Sequence, residues 1–84
     1  MAKLSYRDAE GVVREHDLED RTTLGRHPSQ MVQILDRVVS KQHAVIERGD
    51  DGEFYLRDDG SRNGTYLNGN LVESRRALND GDRI

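Results

Sequence analysis

The sequence predicts an all-β sandwich, and three features carry that expectation. Apolar residues recur at every second position over short stretches, the period of a strand with one face turned inward. Gly, Asn and Asp interrupt these stretches every several residues, where tight turns need backbone conformations that other residues resist. No window shows a helical apolar period, and there is no heptad, internal repeat or low-complexity tract. Many short strands joined by turns read as two packed sheets, each hiding one face against the other.

Taken in order, residues 3–7 place Leu4 and Tyr6 on one face. Residues 8–11 (Asp8-Ala9-Glu10-Gly11) turn, and residues 12–18 return with Val12, Arg14, His16 and Leu18 on a single side. This is an opening hairpin. Residues 21–26 form a Thr-rich strand, and residues 31–35 a weaker one preceded by Pro28, the only proline. Residues 43–48 set Ala44 and Ile46 on one face; Gly49-Asp50-Asp51-Gly52 then turns into residues 53–58, where Phe54 and Leu56 face inward. Val45 and Tyr55 point the other way, because successive strand side chains alternate. Residues 65–67 and 71–72 flank Asn68-Gly69, a dipeptide suited to a tight hairpin turn. Ala77-Leu78 and Arg83-Ile84 flank a further turn at Asn79-Asp80-Gly81-Asp82.

A chain of 84 residues fits a single domain over 1–84, burying only about 60–65% of its unfolded surface. Hydrophobic residues make up 33% and charged residues 35%, so the core is lean, yet the clustered apolar positions argue against disorder. There is no cysteine, hence no disulfide framework and no thiolate metal site. No apolar run reaches membrane-spanning length, and residues 1–5 lack a signal-peptide apolar region, so a cytoplasmic location is the default expectation. With 16 Asp+Glu against 13 Lys+Arg and a net charge of -3, the chain lacks the basic face that nucleic acid requires.

Against this acidic background, three motifs gather polar and basic residues at strand ends: Gly25-Arg26, Ser40-Lys41-Gln42-His43 and Ser61-Arg62-Asn63-Gly64-Thr65. None contains an acidic residue. Loops on a rigid scaffold are where binding residues usually sit, and this composition suits a small, highly charged anion. Arginine offers a fork of donors that holds two oxygens at once, lysine adds a point charge, and serine a hydroxyl donor.

Extended to Leu24-Gly25-Arg26, Val39 through Ile46, Asp59 through Gly69 and Leu78 through Ile84, these motifs resemble a forkhead-associated (FHA) domain, from about Leu4 to the last residue. The resemblance implies an eleven-stranded β-sandwich of two twisted antiparallel sheets whose apical loops bind phosphothreonine in a partner protein. A phosphothreonine carries a charge of about -1.5 to -2 and three strong acceptor oxygens. Arg26, Ser40 and Lys41 are the expected phosphate ligands. Each charge-assisted hydrogen bond contributes about 1.5–3 kcal/mol, and a few of them, less ordering costs, give roughly micromolar binding near -8 kcal/mol. The resemblance assigns Asn63 to the peptide backbone beside the phosphorylated residue, since its amide both donates and accepts. Gly25, His43, Gly64 and Thr65 are implied as structural support, with His43 hydrogen-bonding between loops.

Two departures stand out. Arg62 occupies a position where the family commonly has Thr or Ser, whose hydroxyl helps form the pocket for the threonine methyl. Arg62 therefore either adds a second fork to the phosphate or points to solvent and leaves that pocket looser. The family also continues beyond Gly81-Asp82-Arg83-Ile84 into a last strand that pairs with the first. The expectation is a fragment of a longer parent, truncated at its C-terminus, with self-association through an unpaired sheet edge.

Other readings carry less. Arg26, Lys41 and Arg62 as plain surface charges would not concentrate within three loop motifs. Ser40 and His43 lack an orienting carboxylate and a nucleophile elbow, which argues against an enzyme. Residues 59–64 begin like a calcium loop, but Asn70 stands where the bidentate glutamate is required. His16, His27 and His43 differ too much in setting for a zinc site. Tyr6, Phe54, Tyr55 and Tyr66 read as core and edge residues. The pairs Asp50-Asp51 and Asp58-Asp59 read as turn residues that keep the domain soluble. The sequence thus points to a phosphothreonine-dependent signalling module without cofactor, metal, nucleic-acid or membrane partner. The alternative is a phosphate-independent structural or oligomerisation domain.

Overall fold

The computed structural model describes residues 2–7 and 10–84, with the backbone alone for Arg7. Nine strands form among them: β1 (Lys3–Arg7), β2 (Val13–Asp17), β3 (Arg21–Gly25), β4 (Val32–Gln33), β5 (Ala44–Arg48), β6 (Phe54–Asp58), β7 (Tyr66–Leu67), β8 (Asn70–Leu71) and β9 (Arg76–Ala77). They build a five-stranded sheet in the order β4-β3-β5-β6-β9 and two antiparallel ladders, β1-β2 and β7-β8. The all-β expectation holds, with two refinements. One pairing, β3 with β4, is parallel. Residues 83–84 form no strand; instead Asn68 brackets Arg83, its amide donating to the Arg83 carbonyl at 2.8 Å and its Oδ1 accepting from the Arg83 amide at 2.9 Å. Among the described residues there is no helix, and so none long and apolar enough to cross a membrane.

Period-two alternation decides the core. Thr22, Ile46 and Leu56 are register partners across β3, β5 and β6, followed by Leu24 and Ala44. All five are buried and share one face with Val32, Leu67 and Val72 completing the cluster. Burying a side chain such as Ile46 or Leu56 is worth about 1.5–3 kcal/mol. Leu4, Tyr6 and Leu18 pack on this cluster from the opening hairpin, as their spacing predicts. The buried Thr22 hydroxyl is satisfied by the Glu19 amide at 3.3 Å, which a buried polar atom needs.

Three local outcomes differ from simple alternation. Val45, on the opposite face from Ala44 and Ile46, is also fully buried, flanked by its register partners Thr23 and Arg57. The segment expected over 31–35 pairs only at Val32–Gln33, leaving Met31 and Leu35 exposed. The expected turn at 8–11 falls partly on Asp8 and Ala9, outside the described residues. The Asn68-Gly69 turn, by contrast, has φ of 52° and 83°, the two positive angles of a type I′ hairpin.

The topology also explains where the motifs lie. β5 is antiparallel to both β3 and β6, so the end of β3, the start of β5 and the end of β6 meet at one edge. Leu24, Ala44 and Asp58 mark that line. Every motif leaves the sheet there.

Candidate functional site

Three loops are tied together at this edge by hydrogen bonds between backbone and side chains. The Arg26 amide donates to the Ser40 carbonyl at 2.9 Å, and the His27 amide to the Lys41 carbonyl at 3.3 Å. The Arg26 guanidinium donates through Nε to the Val39 carbonyl at 3.0 Å, which orients the fork and leaves its two terminal nitrogens for other partners. Gly25 is what allows this approach. A Cβ there would lie 2.2 Å from the Lys41 carbonyl oxygen, well inside van der Waals contact.

His43 is a bridge. Its Nδ1 accepts from the Ser40 amide at 3.0 Å, and its Nε2 lies 2.9 Å from the Gly64 carbonyl. An amide only donates, so Nδ1 carries no proton; Nε2 does, and donates to Gly64. Both ring nitrogens are therefore spent on backbone, and neither faces the Ser40 hydroxyl. That hydroxyl accepts instead from the Arg62 amide at 2.9 Å, which leaves its own proton to be donated elsewhere.

Asn63 lies beside this group. Its Nδ2 donates to the Val38 carbonyl at 2.9 Å, fastening the third loop to the second. One N–H and the Oδ1 oxygen remain, so part of the side chain's capacity is already used. Gly64 has φ of 87°, and a Cβ there would lie 2.9 Å from Leu71 Cδ1. The conformation calls for glycine, whereas the tip of the exposed Leu71 side chain can move aside.

Arg26, Lys41, Arg62 and Asn63 are exposed, whereas Ser40 and His43 are half-buried and Thr65 is buried. Among the described residues no carboxylate forms an ion pair with Arg26, Lys41 or Arg62; the ion pairs join Arg48 to Asp20, and Arg57 to Glu47 and Asp59. Guanidinium, ammonium and hydroxyl donors carried by joined loops, with no paired carboxylate among the described residues, are the chemistry that suits an anion.

The profile of the FHA domain family matches residues 22–84. The chain belongs to the FHA domain family. Among curated relatives, an oxoglutarate dehydrogenase inhibitor of Corynebacterium diphtheriae is 43% identical over 63 residues, 75% of this chain and 43% of that protein. The glycogen accumulation regulator GarA of Mycolicibacterium smegmatis is likewise 43% identical over 75% of this chain, and 39% of its own length is covered. The FHA domain thus spans about two fifths of the length of these relatives. Among solved structures, EmbR of Mycobacterium tuberculosis, in complex with a low-affinity phosphopeptide, superposes with a TM-score of 0.77 at 28% identity, over 99% of this chain and 22% of that one. A structure from work on phosphothreonine-dependent FHA domain interactions superposes at 0.75 with 28% identity, covering 96% and 83%.

Asp58 of this FHA domain differs from the sequence expectation. Asp58 is no mere solubilising turn residue. Its Oδ1 accepts from the hydroxyls of Ser61 and of Thr65, the latter at 2.6 Å, and its Oδ2 accepts from the amides of Gly60 at 3.1 Å and Ser61 at 3.0 Å. Partial burial pushes its pKa up, but the Ser61 and Thr65 hydroxyls and the two amides outweigh that and hold it below the usual carboxylate value. Asp58 thus shapes the loop that carries Arg62 and Asn63. The available signal was its spacing of three from Ser61 and seven from Thr65; the loop must close before that spacing means contact.

Proposed function

We propose that this FHA domain is a non-catalytic module that binds phosphothreonine in an extended segment of a partner protein. The observation that carries this reading is that Arg26, Ser40 and Arg62 lie on three loops joined at one sheet edge, with no carboxylate paired to Arg26, Lys41 or Arg62 among the described residues. Arg26 supplies two oriented donors to phosphate oxygens, Ser40 its free hydroxyl proton, and Lys41 a point charge. Arg62 adds a second fork. Asn63 meets the peptide backbone with its remaining N–H and Oδ1. Gly25, His43, Gly64 and Thr65 hold the loops in place, with Asp58 beside them.

A non-enzymatic role is supported by His43, whose nitrogens bond to the Ser40 amide and the Gly64 carbonyl; a serine nucleophile needs a base at its hydroxyl. The names of the relatives, an inhibitor and a regulator, point the same way. The whole protein then acts by docking a phosphorylated partner. β1 pairs with β2 alone among the described strands, and this open edge supports self-association by strand addition as an additional proposal; sedimentation at rising concentration checks it, and a clean monomer throughout removes it.

The deciding experiment is calorimetry against a phosphothreonine peptide library and its unphosphorylated twin. Micromolar binding to the phosphorylated members alone is expected. Equal binding to both would favour a phosphate-independent structural domain, and a flat titration of folded protein would overturn the reading.

A further inference from the structure

The third loop contains an Asn-Gly step, Asn63-Gly64, within the proposed ligand site, and the chain has a second at Asn68-Gly69. Asparagine is thermolabile because the backbone nitrogen of the next residue can attack its side-chain amide carbon. The five-membered ring that results is least crowded when that next residue is glycine, which carries no Cβ. The structure treats the two steps differently. Asn68 has both ends of its amide bound, Nδ2 donating to Asp82 Oδ1 at 2.9 Å and Oδ1 accepting from the Arg83 amide at 2.9 Å. Its Cγ cannot turn toward Gly69 without breaking them. Asn63 is exposed and held by one bond, from Nδ2 to the Val38 carbonyl at 2.9 Å. The Gly64 amide has no hydrogen-bond partner among the described residues, so its nitrogen gives up no such bond on reacting.

We propose that Asn63-Gly64 is a self-modification site that switches the phosphopeptide site off as the protein ages. The Gly64 nitrogen loses its proton and bonds to Asn63 Cγ; the Cγ–Nδ2 bond breaks, and ammonia leaves with a proton as a succinimide closes. Water then opens the ring. Breaking the new bond to Cγ gives aspartate, and breaking the bond to the Asn63 backbone carbonyl carbon gives isoaspartate, whose chain runs through Cγ. One water is consumed and one ammonia released, with nothing oxidised or reduced. Either product loses the donor to the Val38 carbonyl and sets a negative charge on a loop that meets an anionic ligand. Isoaspartate also lengthens the backbone next to Arg62, whose amide holds the Ser40 hydroxyl. The chemistry stands on its own, whereas its consequence rests on the phosphothreonine reading. A bound peptide that occupies the remaining N–H and Oδ1 of Asn63 fixes the side chain, so the free domain ages faster than the occupied one.

The test is a timed incubation of the folded protein at mildly alkaline pH, with and without saturating phosphothreonine peptide. Peptide mapping by mass spectrometry follows amide-to-acid conversion at Asn63 and Asn68, and calorimetry follows phosphopeptide binding in the same samples. Asn63 should convert several-fold faster than Asn68, and bound peptide should slow conversion at Asn63 alone. Converted protein, and Asn63→Asp made directly, should each bind at least about tenfold more weakly than fresh protein, the worth of one charge-assisted contact. Conversion at Asn63 no faster than at Asn68 overturns the proposal, as does undiminished binding by the converted protein; either leaves the phosphate site intact. Fresh protein that fails to bind the peptide sinks the phosphothreonine reading and the switch with it, and the mass record at Asn63 separates that result from a failure of the chemistry.

Discussion

The amide of Arg62 donates to the hydroxyl of Ser40 at 2.9 Å, across 22 positions of sequence. One contact does two things here. It fastens the third loop to the second, and it occupies a lone pair of Oγ so that the hydroxyl proton is directed elsewhere. With Arg26 held by the Val39 carbonyl on the other side, the donors are oriented before any ligand arrives. Such preorganisation limits the ordering cost of binding.

Arg26→Ala and Ser40→Ala should weaken phosphopeptide binding to different extents. Loss of the arginine fork removes about 1.5–3 kcal/mol per contact, a drop of roughly 10- to 150-fold in affinity, with the fold intact. Arg26→Lys should recover only part of it, because a point charge cannot hold two oxygens. Ser40→Ala should weaken binding and also cost about 1 kcal/mol of stability, since the Arg62 amide loses its acceptor. Calorimetry and thermal melts check both; undiminished binding by Arg26→Ala would refute its role.

Gly25→Ala should damage the site without touching a ligand-contacting group. The new methyl would meet the Lys41 carbonyl at 2.2 Å, so the second loop must move outward. Overpacking of this kind costs about 1–3 kcal/mol. Reduced denaturant stability together with weakened phosphopeptide binding is expected. Wild-type values in both assays would show that the loops tolerate the displacement.

Acid should loosen the third loop through Asp58. Its pKa is lowered in the folded protein, so the group contributes stability that is present above its unfolded value, near 3.9. That contribution is lost as pH falls through the lower, folded value. Asp58→Asn should be less stable than wild type at neutral pH by about 2 kcal/mol, and the two should converge as pH falls through the lowered folded-state value of Asp58. Denaturant melts across this range decide the matter; a difference that does not shrink in acid would place the carboxylate's contribution elsewhere.

Arg62 should reveal itself through salt. An exposed guanidinium on the phosphate is screened over about 10 Å at ordinary ionic strength. Affinity should therefore fall more steeply with added salt in wild type than in Arg62→Ala. Comparing phosphothreonine with phosphoserine peptides in the same titrations shows whether the arginine also loosens the methyl pocket. Identical salt slopes would leave Arg62 pointing to solvent.

Much of this was legible in the chain itself. Alternation placed Leu4, Tyr6, Ala44, Ile46 and Leu56 on the inward face because strand side chains have a fixed period of two. Asn68-Gly69 announced its turn because few other residues adopt two successive positive φ angles. The residue types in three motifs point to an anion site, since guanidinium, ammonium and hydroxyl groups without carboxylates suit such a ligand. What the sequence could not decide was which groups would meet. The burial of Val45 depends on its cross-strand neighbours Thr23 and Arg57. The part played by Asp58 depends on closure of the loop above it, and the tautomer of His43 on two backbone groups contributed by different loops. Local rules are written in consecutive residues, whereas hydrogen-bond partners are assigned only when antiparallel strands carry distant loops to one edge.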